Sequence, residues 1–343
     1  MSIELAAGPD DDGRRLDRFL RKALPAFPLS LLHRLIRTGR VLVDGKRGAA
    51  AESVRSGVVI VVRGAEEKGA VRPDAVREVR APVFDLSPLW ESADLLALNK
   101  PAGIAVHGPA SLEDLARSYL AGKRPPSSSF RPGPLHRLDR PTTGVIVFSA
   151  SLKGARFFSR LLQTRRIGKK YLAIVEGVMA EAEVWEENLI HEKEPRKSRV
   201  SNGPFPGTAD GRRGEKPAVT RAFPLVSGAD RTLLLVETGT GRTHQIRAQA
   251  AFHGRPLMGD RKYGGIFHAE GLFLHAAALE FPDFTAEERF LCPEAAALLA
   301  GKTLAAPVPE AFLTQCGRFF RDYAIETCQF FPASRIIKDN GPL

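Results

Sequence analysis

The 343-residue sequence holds only three cysteines, three methionines, two tryptophans and four tyrosines. Cys292, Cys316 and Cys328 are widely spaced, too few for a disulfide framework, and stand in no metal-ligand spacing with histidines. No metal site is expected, and a reducing cytoplasm is the simplest compartment. No apolar run approaches a bilayer span, and the acidic segment Met1–Arg14 lacks the apolar core of a secretory signal, so no membrane association is expected. Dinucleotide fingerprints and P-loops are missing too, which leaves no cofactor to expect. Acid is scarce relative to base: 39 Asp and Glu against 50 Lys and Arg leave a formal charge of +11.

What is present is an ordinary globular composition, 43% hydrophobic and 26% charged, in a chain long enough for more than one domain. The positive excess is concentrated. Between Gly13 and Arg63 there are twelve Lys and Arg against three Asp and Glu, a local net of +9. A basic lobe on a nearly balanced body points to a polyanion, with nucleic acid leading.

Residues 1–12 read as a polar, frayed end. Leu16–Leu24 reads as a helix stopped by Pro25, and Leu29–Arg37 as a second with Leu29, Leu32, Leu35 and Ile36 on one face. Arg34, Arg37 and Arg40 recur every third residue on the other side. Val41–Val43, the turn pair Asp44-Gly45 and Lys46–Arg47 suggest a tight hairpin, and Val58–Val62 a closing strand. This organisation divides the chain into a lobe at 13–63, a charged linker at 64–81, a main domain at 82–308 and a C-terminal extension at 309–343. Aromatics in the extension (Phe312, Phe319, Phe320, Tyr323) suit an amphipathic helix packed on the body. Glu192–Thr220, interrupted by Gly and Pro and more basic than acidic, reads as an irregular loop.

The stretch Leu135–Ser149, LHRLDRPTTGVIVFS, crowds His136, Arg137, Asp139 and Arg140 ahead of a Pro-Thr-Thr-Gly turn and an apolar strand. A lone Asp there is usually a turn or capping residue. A carboxylate between arginines at the mouth of a buried strand is also how a site is held on a rigid support. Downstream, Lys169–Val175 reads as a strand with Tyr171, Ala173 and Val175 on one face, and Thr243–Phe252 as a helix that puts Thr243 and Arg247 on one side.

HRLDRPTTG at 136–144, KKYLAIVEG at 169–177 and TGTGRTHQIRAQAAFHGRPLMGDRKYGG at 238–265, preceded by LLALNKPAGIAVHG at 95–108, together resemble the RluA-type pseudouridine synthases. The basic lobe resembles the small α-L RNA-binding fold. The resemblance implies an α+β protein: an α-L domain plus a catalytic domain with a largely antiparallel mixed sheet flanked by helices. It implies isomerisation of specific uridines in structured RNA, ribosomal RNA in preference to tRNA, by a monomer without cofactor. Asp139 would be the essential carboxylate, Arg247 its ion-pair partner and Tyr171 the residue stacked on the base. Arg137, His136, Arg242, Arg34, Arg37, Arg40 and Lys46 would contact RNA, with His136 and His244 serving chiefly as hydrogen-bonding scaffold. Gln249 stands where the family commonly has histidine. The competing readings are a tRNA enzyme and a catalytically idle RNA-binding or ribosome-assembly protein.

Overall fold

A computed structural model describes residues 2–64, 86, 88–123, 127–192, 197–201 and 214–320. In the N-terminal lobe, helix α1 (Leu16–Ala23) turns Leu16, Phe19 and Leu20 inward, and α2 (Leu29–Arg37) turns Leu32, Leu35 and Ile36 onto the same core with Val41, Ile60 and Val62. The lobe's sheet runs Ser2–Ala6, Val59–Arg63, Val41–Val43, Lys46–Arg47. Asp44 and Gly45 both take positive φ, as a two-residue hairpin turn of the primed type requires. The expected fraying of residues 1–12 is corrected. Ser2–Ala6 pairs along its whole length with Val59–Arg63, and Asp11 is fully buried. The short alternation around Ile3 and Leu5 carries little pattern by itself and becomes a strand because a sheet edge is there to receive it. Of the expected linker at 64–81, all but Gly64 lies outside the described residues.

The main body is a mixed sheet, antiparallel except for one parallel pair. Its strands lie in the order Ser198–Ser201, Glu183–His191, Glu215–Ser227, Arg231–Thr238, Gly168–Glu176, Leu274–Glu280, Thr143–Ser149, Leu95–Lys100, Pro88–Glu91, and Leu274–Glu280 beside Thr143–Ser149 is the parallel pair. The run Val145–Phe148 is apolar at every position because both faces are covered. Val145 and Val147 pack with Phe157 and Phe158 of α4 (Leu152–Gln163) and with α7 (Pro293–Leu299), which follows α6 (Ala286–Leu291). Ile146 and Phe148 pack on the other face against Leu112, Ala116 and Leu120 of α3 (Leu112–Ala121). Ser111 caps α3 in a reciprocal box with Asp114, and Ser151 caps α4 by accepting from Gly154 N–H.

Two expectations need correction. Glu192–Thr220 is not a loop throughout: Ser198–Ser201 and the beginning of Glu215–Ser227 are strands flanking Glu183–His191. Their inward residues include Ala218, Thr220 and Ala222, small side chains that leave almost no hydrophobic alternation in the sequence. Helix α5 starts at Gln245 rather than Thr243 and runs to Phe252, with His244 ahead of it at φ 53°. The expected C-terminal helix is α8 (Glu310–Phe319), whose Phe312 and Cys316 join Phe320 against Leu172, Ile174 and Leu233. Tyr323 and Cys328 lie outside the described residues.

Candidate active site

Asp139 sits in the loop that feeds the Thr143–Ser149 strand. Its carbonyl accepts the Thr142 N–H, closing a turn. The fully buried Lys100 holds that turn from below: its ammonium donates to the carbonyls of Pro101, Arg140 and Thr142 at 2.9, 2.9 and 2.8 Å. Burial, opposed by the Asp139 charge, pushes this lysine down to about 8. Gly144 follows at φ 112°, where a Cβ would meet the Ala276 carbonyl oxygen at 2.1 Å, so only glycine lets the parallel strands close here.

Opposite the loop, α5 presents Arg247 between two carboxylates. Its Nη1 donates to Asp139 Oδ2 at 3.1 Å, while Nε and Nη2 form a bidentate pair with Asp260 at 2.7 Å each. Burial disfavours this charge, but the Asp260 hydrogen bonds and the two carboxylates more than offset it, holding the guanidinium above its ordinary value. The guanidinium also lies 5.1 Å from the centre of the Tyr263 ring. The Tyr263 hydroxyl accepts from Ser198 N–H at 2.8 Å and stands 2.9 Å from His244 Nδ1. His244 Nε2 is 3.8 Å from Asp139, and burial lowers this imidazole more than the carboxylate raises it.

Between loop and helix lies a cavity of about 270 Å³ lined by Asp139, Tyr171, Arg137, His136, Lys169 and Arg242, with Arg247 and His244 beside them. Tyr171 enters from the Gly168–Glu176 strand. Burial first, then the Asp139 charge, pushes its phenol up to about 12, against a hydrogen bond with Thr238, so it stays protonated. His136 Nε2 accepts the Val147 N–H at 3.0 Å and its ring stacks on Phe158 at 5.9 Å. Burial, reinforced by Lys169, pushes that imidazole down to about 3, so it is a neutral strut. Arg137 is exposed and borders both this cavity and a neighbouring recess that shares Asp139 and Arg247. Arg242 donates to the Pro217 carbonyl at 3.0 Å.

The fold therefore gathers Asp139, Tyr171, Arg247, Arg137, His136 and Arg242 around one cavity. Arg34 and Arg37 line a separate recess on the lobe, and Arg40 and Lys46 are exposed on the same lobe. Gln249 is fully buried, donating to the Trp185 and Ala218 carbonyls and to Glu187 while accepting from Thr220, so it fastens α5 to the sheet. Asp260, Tyr263 and Lys100 received no role from the sequence although all three lie within the quoted motifs. The signal was there in part: Asp260 and Tyr263 stand three apart in a glycine-bounded turn. Gly259 has φ 82°, and a Cβ on it would lie 1.7 Å from the Gly271 carbonyl oxygen.

Residues 94–252, which carry the Asp139 loop and Arg247, match the model of the RNA pseudouridylate synthase family. The chain belongs to this family. It is 33% identical over 291 residues to ribosomal large subunit pseudouridine synthase C of Escherichia coli, covering 81% of this chain and 88% of that one. The Vibrio cholerae protein of the same name is 31% identical over 295 residues, covering 82% of this chain and 89% of its own. The solved structure of human RNA Pseudouridylate Synthase Domain Containing 4 superposes with a TM-score of 0.53 at 24% identity, over 68% of this chain and 92% of that one, which shows the common fold. Among the described residues no helix is long and apolar enough to cross a membrane.

Proposed function

We propose that this pseudouridine synthase isomerises uridines in large-subunit ribosomal RNA, with Asp139 as the essential carboxylate. The observation that carries the reading is the Asp139–Arg247–Asp260 chain opening onto a cavity bordered by Tyr171. Pseudouridine formation breaks the bond from the sugar's anomeric carbon to the base nitrogen and remakes it to a base carbon, which then loses its proton. No electrons enter or leave, so the chemistry calls for no redox group. Attack at the anomeric carbon and removal of the neighbouring sugar proton both need a carboxylate aimed at the sugar, and Arg247 would set that direction.

Tyr171, held protonated, would cover the base and retain it after detachment. A uridine in structured RNA must leave its stack to reach such a cavity, and Arg137 at the rim would contact the RNA around the space it vacates. Arg242 and the lobe's Arg34, Arg37, Arg40 and Lys46 would hold phosphates without reading sequence, in an RNA-binding lobe at 13–63 serving a catalytic domain at 82–308. The relatives' names favour ribosomal RNA over tRNA as the substrate. Free, buried Cys292 and Cys316 suit a reducing compartment such as the cytoplasm.

The test is a pseudouridine map of ribosomal and transfer RNA from cells with and without the gene, each RNA then incubated with purified protein or with Asp139→Asn. Sites in large-subunit RNA that vanish without the gene and return only with the wild-type protein are expected. Restoration by Asp139→Asn would refute the role of Asp139, and restoration confined to tRNA would move the substrate.

A further inference from the structure

The basic lobe meets the catalytic body at a second cationic surface, separate from the α2 face that carries Arg34 and Arg37. Helix α1 buries Leu16, Phe19 and Leu20, so Arg15, Arg18, Arg21 and Lys22 are left on its exposed side. A set of short polar contacts docks this helix on the body. Asp10 accepts the Leu152 N–H at 2.7 Å, at the positive N-terminus of α4. The buried Asp11 accepts from Ser127 Oγ at 2.9 Å and from Ser129 N–H at 3.2 Å, and Arg14 donates to the Ser129 carbonyl at 2.9 Å. The docking brings Arg156 of α4 to α1. Together Arg14, Arg15, Arg18, Arg21, Lys22 and Arg156 line a cleft of about 480 Å³.

Arg15 is neutralised by Asp17 at 2.7 Å, and Arg14 is spent on the docking. Arg18, Arg21, Lys22 and Arg156 have no ion-pair partner among the described residues. Four cations converging on one cleft repel each other unless an external anion fills it. The cleft also leads somewhere. Leu162 stands six residues beyond Arg156, ~9 Å along the helix axis, and it lines the catalytic cavity. It also lines an adjoining basic recess with Arg165, Lys169 and Arg242. Between Arg156 and Leu162 on α4 lie the half-buried Ser159 and the exposed Arg160, which stands 3.7 Å from Glu287, and the exposed Gln163 follows Leu162.

We propose that the α1–α4 cleft is a phosphate-backbone site, built jointly by lobe and catalytic body, that holds RNA flanking the target uridine and leads it along α4 to the catalytic cavity. This rests on the reading of the substrate as RNA. It adds that the docked lobe shares its binding surface with the body and is not a tethered module. An acidic protein could satisfy the same charges, but a nucleotide-sized cavity farther along the same helix favours a nucleic acid strand.

The experiment measures binding of a large-subunit ribosomal RNA transcript by the full chain across a salt titration, for wild type and for the triple variant R18A/R21A/R156A. These side chains are exposed and pair with no acid among the described residues, so the melting temperature should not fall, and relief of their mutual repulsion should if anything raise it. Losing three phosphate contacts should weaken binding roughly tenfold or more and flatten the slope of log K against log salt by about two. In a double-mutant cycle, R18E and R156E should be non-additive, because the two residues would share one strand. An unchanged slope and affinity overturn the proposal and return the cleft to a protein partner. The catalytic reading fails separately: a transcript that binds with the steep slope but gains no pseudouridine removes the enzyme and leaves the cleft.

Discussion

Arg247 Nη1 lies 3.1 Å from Asp139 Oδ2, a bond that ties the helix side of the cavity to the loop side. Its direction is set by the other edge of the same guanidinium, clamped on Asp260 by two bonds of 2.7 Å. A planar fork gripped at one edge has little freedom at the other, so Asp260 positions Arg247 and Arg247 positions Asp139.

If Asp139 is the reacting carboxylate, as proposed, Asp260→Asn should lower kcat by roughly 10²-fold while leaving KM within a few-fold, because it would misplace Asp139 without touching the proposed RNA contacts. Single-turnover kinetics check it. A rise in KM at constant kcat would mean that Asp260 serves binding instead.

Tyr263→Phe removes the acceptor of the buried Ser198 N–H and the neighbour of His244 Nδ1. An orphaned buried donor costs about 1–3 kcal/mol. Urea unfolding should register that loss, and turnover should fall with it as His244 loosens beside Asp139. Unchanged stability would show that the Ser198–Ser201 strand is held by its neighbours alone.

His275 is fully buried between Thr143 Oγ1 and the Ala306 carbonyl, and burial pushes its imidazole down to about 4. The unfolded chain then binds the extra proton between that value and the ordinary histidine range. The stabilisation is thus complete above a pH of roughly 6.5 and drains away as pH falls toward the folded value. Thermal unfolding between neutral pH and the mid-fours should lose up to about 1.4 kcal/mol per pH unit from this residue. His275→Gln should be shallower over the same window, and an identical slope would assign the acid loss to other groups.

Gly144→Ala should be among the most damaging single-methyl changes. Its Cβ would lie 2.1 Å from the Ala276 carbonyl oxygen, at a φ that side chains avoid. Relief requires parting the parallel strands that carry the Asp139 loop, so insoluble protein or a loss of several kcal/mol is expected. A variant with the wild-type melting temperature would contradict this packing.

Much of the site was legible in the chain because its parts are local. The turn and apolar run of 135–149, the strand face shared by Tyr171, Ala173 and Val175, and Arg247 on a short helix are one-dimensional patterns, and motif order completed the family reading. Other features left almost no trace. The strands at Ser198–Ser201 and Glu215–Ser227 bury small residues, and Ser2–Ala6 is too short to carry a period. Gln245, not Thr243, opens α5, because His244 takes a left-handed turn that orients its ring toward Tyr263.

By itself the sequence determined which residue types could do the chemistry and on which local elements they would stand. The tertiary structure alone decided how they meet. Ala276 is the register partner of Gly144 on one side and of Tyr171 on the other, so a single strand places the Asp139 loop and the tyrosine at one cavity. It also decided that Arg247 has two carboxylates rather than one, and that the lobe lies against α4. Pairings between residues far apart in the chain arise from strand order and from burial of apolar faces, and neither is written in any local stretch.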